Sequence, residues 1–283
     1  MSPSPASGGA GALPAALYAR PEAFQRERRT IFQSSWLPVA RAAAIKAPGD
    51  YVAQSIGGWP VFVIAERNGA LAAFRNVCRH QGLPLFDTGA GRCEQIRCRY
   101  HGWTYDTAGA FIEAPPKVAP PDPADPLHRL EAVKVLASEG LIFVCLGASP
   151  TAGDGLGSLA ALKLGALEFR EEAVTDIDAN WKLVIEAALS MAPAGARRDL
   201  LWPVTILDAT AGGAIVHQVI PRAFQRTRIH HLRYGAAPAA DMNSVKIAAL
   251  AAQAACEQGN APALDGKAAL VDFRTRVAAS HAA

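Results

Sequence analysis

Two short segments, Cys78-Arg79-His80 and Cys98-Arg99-Tyr100-His101, with 17 residues between them, constrain this chain more than any other feature. Each offers one thiol and one imidazole at the end of a strand-like run. Four such donors can hold zinc as a Cys₂His₂ set, but a zinc finger places its two cysteines first and its two histidines later on a helix. Here Cys and His alternate. Gly82 and Gly102 follow the histidines by two positions and one. That pattern suits two matching loops folding toward each other around one cofactor. Cys93, Cys145 and Cys256 have no such company and read as inert, mostly buried thiols.

The rest of the chain sets the frame. At 283 residues there is room for two ordinary domains. A hydrophobic share of 51% with 19% charged residues is a globular profile rather than a disordered one. A net charge of +3 without a Lys/Arg block excludes a nucleic-acid stripe. The longest run of strong hydrophobes is Leu141 to Leu146. That is far short of the roughly 20 residues of a membrane span, so no membrane partner is expected. The start of the sequence lacks a basic segment followed by an apolar core, and the five cysteines are irregularly spaced. Both features read as a cytoplasmic protein, where paired Cys and His suggest metal before disulfides.

Residues 1–37 read as a Ser/Pro/Gly/Ala tail and a helix opened by Pro21, with Phe24, Arg28, Ile31 and Phe32 at helical spacing. From Asp50 the period changes to strands joined by Gly57-Gly58 and Asn68-Gly69, continuing at Trp103–Tyr105, Ala132–Leu136 and Leu141–Cys145. An all-β domain over 38–147 follows. A linker at 148–158 leads to a mixed region, 159–283. That region has a helix at Trp181–Leu189 capped by Asp178 or Asn180, and strands at Ala214–Ile220 and Arg226–Tyr234. Ala-rich helices near Ser244–Glu257 and Lys267–Ala279 close it. The fold class is therefore α+β.

The segments NVCRHQG and RCRYHGWTYD resemble the Rieske domain of aromatic ring-hydroxylating oxygenase alpha subunits. The resemblance implies a [2Fe–2S] cluster with Cys78 and Cys98 on one iron and His80 and His101 on the other. Replacing two thiolates by neutral imidazoles removes two negative charges and makes reduction easier than in an all-cysteine cluster. Respiratory Rieske proteins carry an extra cysteine in each loop, where this chain has Leu83 and Tyr100. The serine of their second loop is replaced by Trp103, which implies fewer hydrogen bonds to the cluster and a lower potential.

The resemblance extends to a divergent, shortened catalytic-type domain, in which helices pack on a sheet. Ala179 to Glu186 is similar to the motif that opens the family's catalytic helix. The runs WPVTILDAT, VHQVIPRAF and RTRIHHLRY look like its strands. Active members hold a mononuclear Fe(II) with two histidines and an aspartate, and a further carboxylate nearby. Counting from Asn180, the carboxylate falls on Ser190, the first histidine on Pro193 and the second on Arg198. The later aspartate falls near Ala251 and Ala252, and no Asp or Glu lies between Asp241 and Glu257. Pro has no side-chain donor and Arg stays protonated, so the mononuclear iron is expected to be absent.

The expected function is thus a Rieske electron-transfer protein serving a catalytic paralogue. Its electron donor would be a ferredoxin or flavin reductase, and its setting a trimer, homomeric or mixed. Two alternatives stand beside it. One is an active oxygenase with a relocated iron, for which His217 with His230 or His231 supplies candidate ligands if their strands are neighbours. The other is a ligand-binding protein whose cluster is structural. His230 and His231 are adjacent on a strand and so face opposite sides.

Overall fold

The computed structural model describes residues 11–115, 122, 125–147, 156–191, 195–239, 242–264 and 268–282. The chain divides into a β unit, Phe32–Ala166, and a helix–sheet unit made of Met1–Ile31 with Leu167–Ala283. The described chain opens with helices α1 (Ala16–Ala19) and α2 (Pro21–Glu27), and α2 runs into a π-helical turn at Arg28–Phe32. The sequence sets 1–37 apart as a tail and a helix; in the structure α1 and α2 group with Leu167–Ala283.

In the β unit, seven antiparallel strands stand in the order β1-β10-β9-β4-β3-β2-β5. They are β1 (Leu37–Arg41), β2 (Asp50–Ile56), β3 (Trp59–Ala65), β4 (Leu71–Arg75), β5 (Gly89–Arg92), β9 (Ala132–Ser138) and β10 (Leu141–Cys145). A smaller sheet holds β6 (Ile96–Arg97), β7 (Thr104–Tyr105) and β8 (Phe111–Glu113). The short helix α3 (Leu156–Ala161) closes the unit. The two glycine turns read from the sequence join β2 to β3 and β3 to β4. Strands β5, β6 and β8 are too short to show alternation and escape a sequence reading. Phe62, Ile64, Phe74, Ile96, Tyr105 and Phe111 form one buried cluster with Cys78 and Cys98. Each large side chain removed from water there contributes about 1.5–3 kcal/mol.

In the helix–sheet unit, five antiparallel strands run in the order β11-β15-β14-β13-β12. They are β11 (Phe169–Ile177), β12 (Arg197–Leu201), β13 (Thr205–Thr210), β14 (Gly213–Ala223) and β15 (Arg226–Gly235). Helices α4 (Trp181–Ser190), α5 (Asn243–Glu257) and α6 (Ala268–Ala282) complete it. The cap of α4 is Asn180, whose Oδ1 accepts from Lys182 N at 3.1 Å. Its Nδ2 donates to Tyr18 O and Phe224 O at 3.1 and 2.8 Å. Every residue from Trp181 to Leu189 is buried, so α4 is the unit's core helix.

Charges inside that core are satisfied in pairs. Lys182 Nζ meets Glu27 Oε1 at 2.6 Å, and neither side chain is exposed. Trp181 Nε1 donates to Glu27 Oε2 at 2.8 Å, and His281 Nε2 lies 3.0 Å from Oε1. Glu186 accepts from Tyr18 Oη at 2.5 Å and from Arg274 Nη2 at 2.7 Å. These bonds fasten α1, α2 and α6 to α4, which is why the first helices fold with residues more than a hundred positions away.

Candidate metal centre

The two Cys/His segments fold as matched loops. Cys78 N donates to Leu83 O at 2.7 Å, and Gly82 N donates back to Cys78 O at 2.9 Å. In the second loop Cys98 N donates to Trp103 O at 2.8 Å, and Gly102 N to Cys98 O at 2.9 Å. The repeat therefore runs from each cysteine to the glycine four residues on, while the histidine is the second residue past the cysteine in one loop and the third in the other. Both glycines take left-handed backbone, φ +74° at Gly82 and +68° at Gly102. At Gly102 a Cβ would also stand 2.8 Å from Pro115 Cγ, so that position excludes any side chain.

Within this frame the thiols lie inside and the rings outside. Cys78 and Cys98 are buried, His80 is half-buried and His101 is exposed. The two imidazoles meet edge to face with centroids 4.9 Å apart. Trp103 stacks on His80 at 5.0 Å and 14°, and presents an edge contact to His128 at 5.6 Å. His128 is half-buried, and its Nδ1 donates to Asp122 O at 2.9 Å.

Several supports have no signature in the Cys/His spacing. Asn76 Oδ1 accepts from Leu85 N and Phe86 N at 3.2 and 2.9 Å, and its Nδ2 donates to Phe86 O at 2.7 Å. Arg99 forks onto Asp87 at 2.6 and 2.8 Å, joining the two loops on the surface. Tyr105 Oη accepts from Arg79 N at 3.1 Å and lies 3.3 Å from Cys78 Sγ, to which it can donate. Trp103 replaces one hydrogen bond expected of a Rieske centre, but Tyr105 supplies another.

The donors fit a bound cluster. His80 Nδ1 is buried and has no hydrogen-bond partner, a costly state for a ring nitrogen unless a metal takes its lone pair. Burial pushes the Cys78 thiol up, Cys98 adds to the rise, and the Tyr105 bond opposes it. Such a thiol ionises readily only against a cation. Among the described residues no three His, Cys, Asp or Glu side chains converge on a single ion. A cluster that takes two ligands on each iron does not ask for three.

The helix–sheet unit treats its polar residues differently. Ser190 ends α4 and donates to Glu186 O at 2.8 Å. Pro193 lies outside the described residues. Arg198 is in β12, and Ala251 and Ala252 are in α5. His217 and His231 are cross-strand partners on β14 and β15, while His230 bonds Glu172 at 2.5 Å. The ring nitrogens of His217 and His231 face each other at 2.8 Å (Nδ1 to Nδ1). Nε2 of His217 lies 3.0 Å from Asp208 Oδ2, and Nε2 of His231 lies 3.1 Å from Thr175 Oγ1. Burial, with His217 and His230 nearby, lowers His231 to about 3. Burial alone would raise Asp208, but its bonds from Arg198 and His217 prevail and hold it at about 2.

Comparison with known proteins places this geometry. The profile of the Rieske [2Fe-2S] domain matches residues 35–135. The chain is 35% identical to a glycine betaine monooxygenase oxygenase subunit of Chromohalobacter salexigens over 179 residues, 62% of this chain and 40% of that protein. It is 38% identical to a chlorobenzene dioxygenase alpha subunit of Cupriavidus sp. over 106 residues, 38% of this chain and 24% of that one. It thus spans less than half the length of these curated relatives. Among solved structures, the quaternary ammonium Rieske monooxygenase CntA, a structure bearing on carnitine oxidation and inter-subunit electron transfer, superposes with TM-score 0.78 at 19% identity over 95% of both chains. Naphthalene 1,2-dioxygenase superposes with TM-score 0.64 at 20% identity, over 97% of this chain and 82% of that one. These superpositions share the helix–sheet architecture of the second half.

Proposed function

The chain belongs to the family of Rieske-type aromatic ring-hydroxylating oxygenase alpha subunits, and from that premise we propose that it is a one-electron carrier serving an iron site it does not itself hold. In this reading Cys78, His80, Cys98 and His101 hold the [2Fe–2S] cluster, the cysteines on one iron and the histidines on the other. A bound Rieske cluster supplies a one-electron couple at a potential above that of all-cysteine clusters. The chain's own residues do the rest. Buried Cys78 and Cys98 keep water from the sulfur side. Trp103 covers one face of His80, and exposed His101 offers a ring edge to a redox partner. Tyr105 holds Cys78 Sγ and the Arg79 amide at once. The observation that carries the reading is the buried, partnerless Nδ1 of His80 between the two thiol loops.

The accessory role rests on the second unit, where Ser190 stands at the position of the nearby carboxylate and Arg198, Ala251 and Ala252 at positions counted as iron ligands. The donor would be a ferredoxin or flavin reductase in the cytoplasm, and the acceptor a catalytic paralogue in a mixed trimer. The inter-subunit electron transfer associated with CntA supports such a route. No helix among the described residues is long and apolar enough to cross a membrane. A second reading, an oxygenase with a rebuilt iron site, draws on the match to CntA over 95% of both chains.

The test mixes the anaerobically reduced protein with a catalytic alpha subunit whose own cluster has been removed by a Cys→Ala change. Product formed in proportion to the electrons supplied bears out the proposal. A clean homo-oligomer that reoxidises without reaching the paralogue contradicts it.

A further inference from the structure

Arg198 is a cation enclosed by protein. Its side chain is 5% exposed and that of Asp208 1%. Nε and Nη2 of Arg198 donate to Oδ1 and Oδ2 of Asp208, each at 2.6 Å. Nη1 turns the other way, to Ala188 O at 2.5 Å and Met191 O at 3.3 Å, two carbonyls at the C-terminal end of α4. A helix end is the negative pole of its dipole and leaves carbonyls unpaired, so it favours a positive charge. On the far side of Asp208, His217 donates its Nε2 proton and is held in turn by His231.

We propose that Asp208 and the α4-terminal carbonyls of Ala188 and Met191, braced by His217, form an internal cation site, and that the Arg198 guanidinium is its permanent occupant. The inference rests on the reading that this unit holds no mononuclear iron, and it adds a physical reason. The carboxylate and its neighbouring histidine are already committed to a cation that the chain supplies. Asp208 Oδ2 takes both Nη2 of Arg198 and Nε2 of His217, and the remaining nitrogen of His217 faces His231. Each of these groups thus already has hydrogen-bond partners within the chain. Two strands and a helix end are tied at this point, because Arg198 lies on β12, Asp208 on β13 and the carbonyls at the end of α4. The guanidinium suits the place better than an ammonium would, since its planar fork meets the carboxylate with two bonds and still directs a third elsewhere.

The experiment follows urea unfolding of the helix–sheet unit through Trp181 and Trp202, with the visible absorbance of the cluster as a control on the β unit. Arg198→Ala leaves a buried carboxylate without its counter-ion and is expected to lower the folding constant roughly a hundredfold or more. Millimolar guanidinium chloride, compared with equal sodium chloride, should restore part of that loss in Arg198→Ala. It should restore none in wild type or in the Arg198→Ala/Asp208→Asn double variant. Unchanged stability of Arg198→Ala, or equal action of guanidinium on all three, overturns the proposal. If Arg198→Ala does not fold, Arg198→Met/Asp208→Leu decides: removal of both charges should give a folded unit, and failure of that variant overturns the cation site. Wild-type uptake of cobalt(II) with ligand-field bands lost in His217→Gln also overturns it. Iron per wild-type chain is measured in parallel, so that a third iron elsewhere counts against the electron-carrier reading while leaving the Arg198 result intact.

Discussion

The two units bring similar chemistry together and finish it in opposite ways. In the β unit, two thiols and two imidazoles gather in matched loops, and at least one donor atom, His80 Nδ1, is buried with nothing to bond. In the helix–sheet unit, Asp208, His217 and His231 lie as close together, yet each bonds a neighbouring side chain, and Arg198 completes the set. A buried donor that is left open at a cost of about 1–3 kcal/mol points to a ligand. A closed chain of donors points to architecture. Residue type alone does not separate the two cases, since both hold histidines beside acidic or sulfur groups.

The largest expected effect tests the open site. Cys78→Ala should lose nearly all iron and the visible band, and should unfold the β unit well below the wild-type midpoint. Full iron retention in that variant means the ligand assignment is wrong. The closed unit should respond to a broken pair rather than to metal. Lys182→Met leaves Glu27 buried beside Trp181 and His281, and should cost about 3–5 kcal/mol in urea unfolding. Adding Glu27→Leu should recover much of that loss. Iron content should stay at the wild-type level in both variants.

Acid sharpens the contrast. His231 lies at about 3 in the folded unit, below its ordinary 6.5, so the unfolded chain binds more protons between those values. Stability from this group is complete above pH 6.5 and is lost as the pH falls through that window. Asp208, held at about 2 against an ordinary 3.8, adds a second loss as the pH falls below about 4. Unfolding of the helix–sheet unit against pH should therefore begin near pH 6, and His231→Phe should remove the upper phase while leaving the lower one. A wild-type profile flat down to pH 4 contradicts the assignment.

Smaller effects test the support of the cluster loops. Tyr105→Phe removes the hydroxyl beside Cys78 Sγ. Loss of a hydrogen bond worth about 1–1.5 kcal/mol to the reduced form should lower the potential by several tens of millivolts, with iron content unchanged. A potential within a few millivolts of wild type would show that the hydroxyl serves the Arg79 amide alone. Least disruptive is Gly82→Ala, where φ is +74° but no atom lies within 4 Å of the added carbon, whereas Gly102→Ala meets Pro115 at 2.8 Å. Thermal loss of the visible band should therefore come earlier in Gly102→Ala than in Gly82→Ala.

The parts of the molecule legible in the sequence are those with local periodicity or fixed spacing. The Cys/His loops, the hairpins at Gly57-Gly58 and Asn68-Gly69, and α4 with its Asn180 cap belong to this class. Asn180 is capped in one direction by proximity, two residues to Lys182, but its bonds to Tyr18 and Phe224 span 162 and 44 residues. Nothing in the local sequence marks Glu27, because its partners Lys182 and Trp181 stand 155 and 154 residues away. Tyr105, Asn76 and Asp87 carry no signal in the sequence, because a hydroxyl, an amide and a carboxylate near a loop follow no spacing rule. Arg198 was read as a lost ligand, and its place in a charge network became visible only when β12 and β13 paired.

Iron and acid-labile sulfide per chain, measured on anaerobically purified and fully reconstituted protein together with an electron-spin spectrum of the reduced form, test the central claim most directly. The account predicts two irons, two sulfides and a Rieske-type signal, with no further iron retained after desalting. A third iron whose signal responds to substrate or nitric oxide would contradict it and make the chain an oxygenase in its own right.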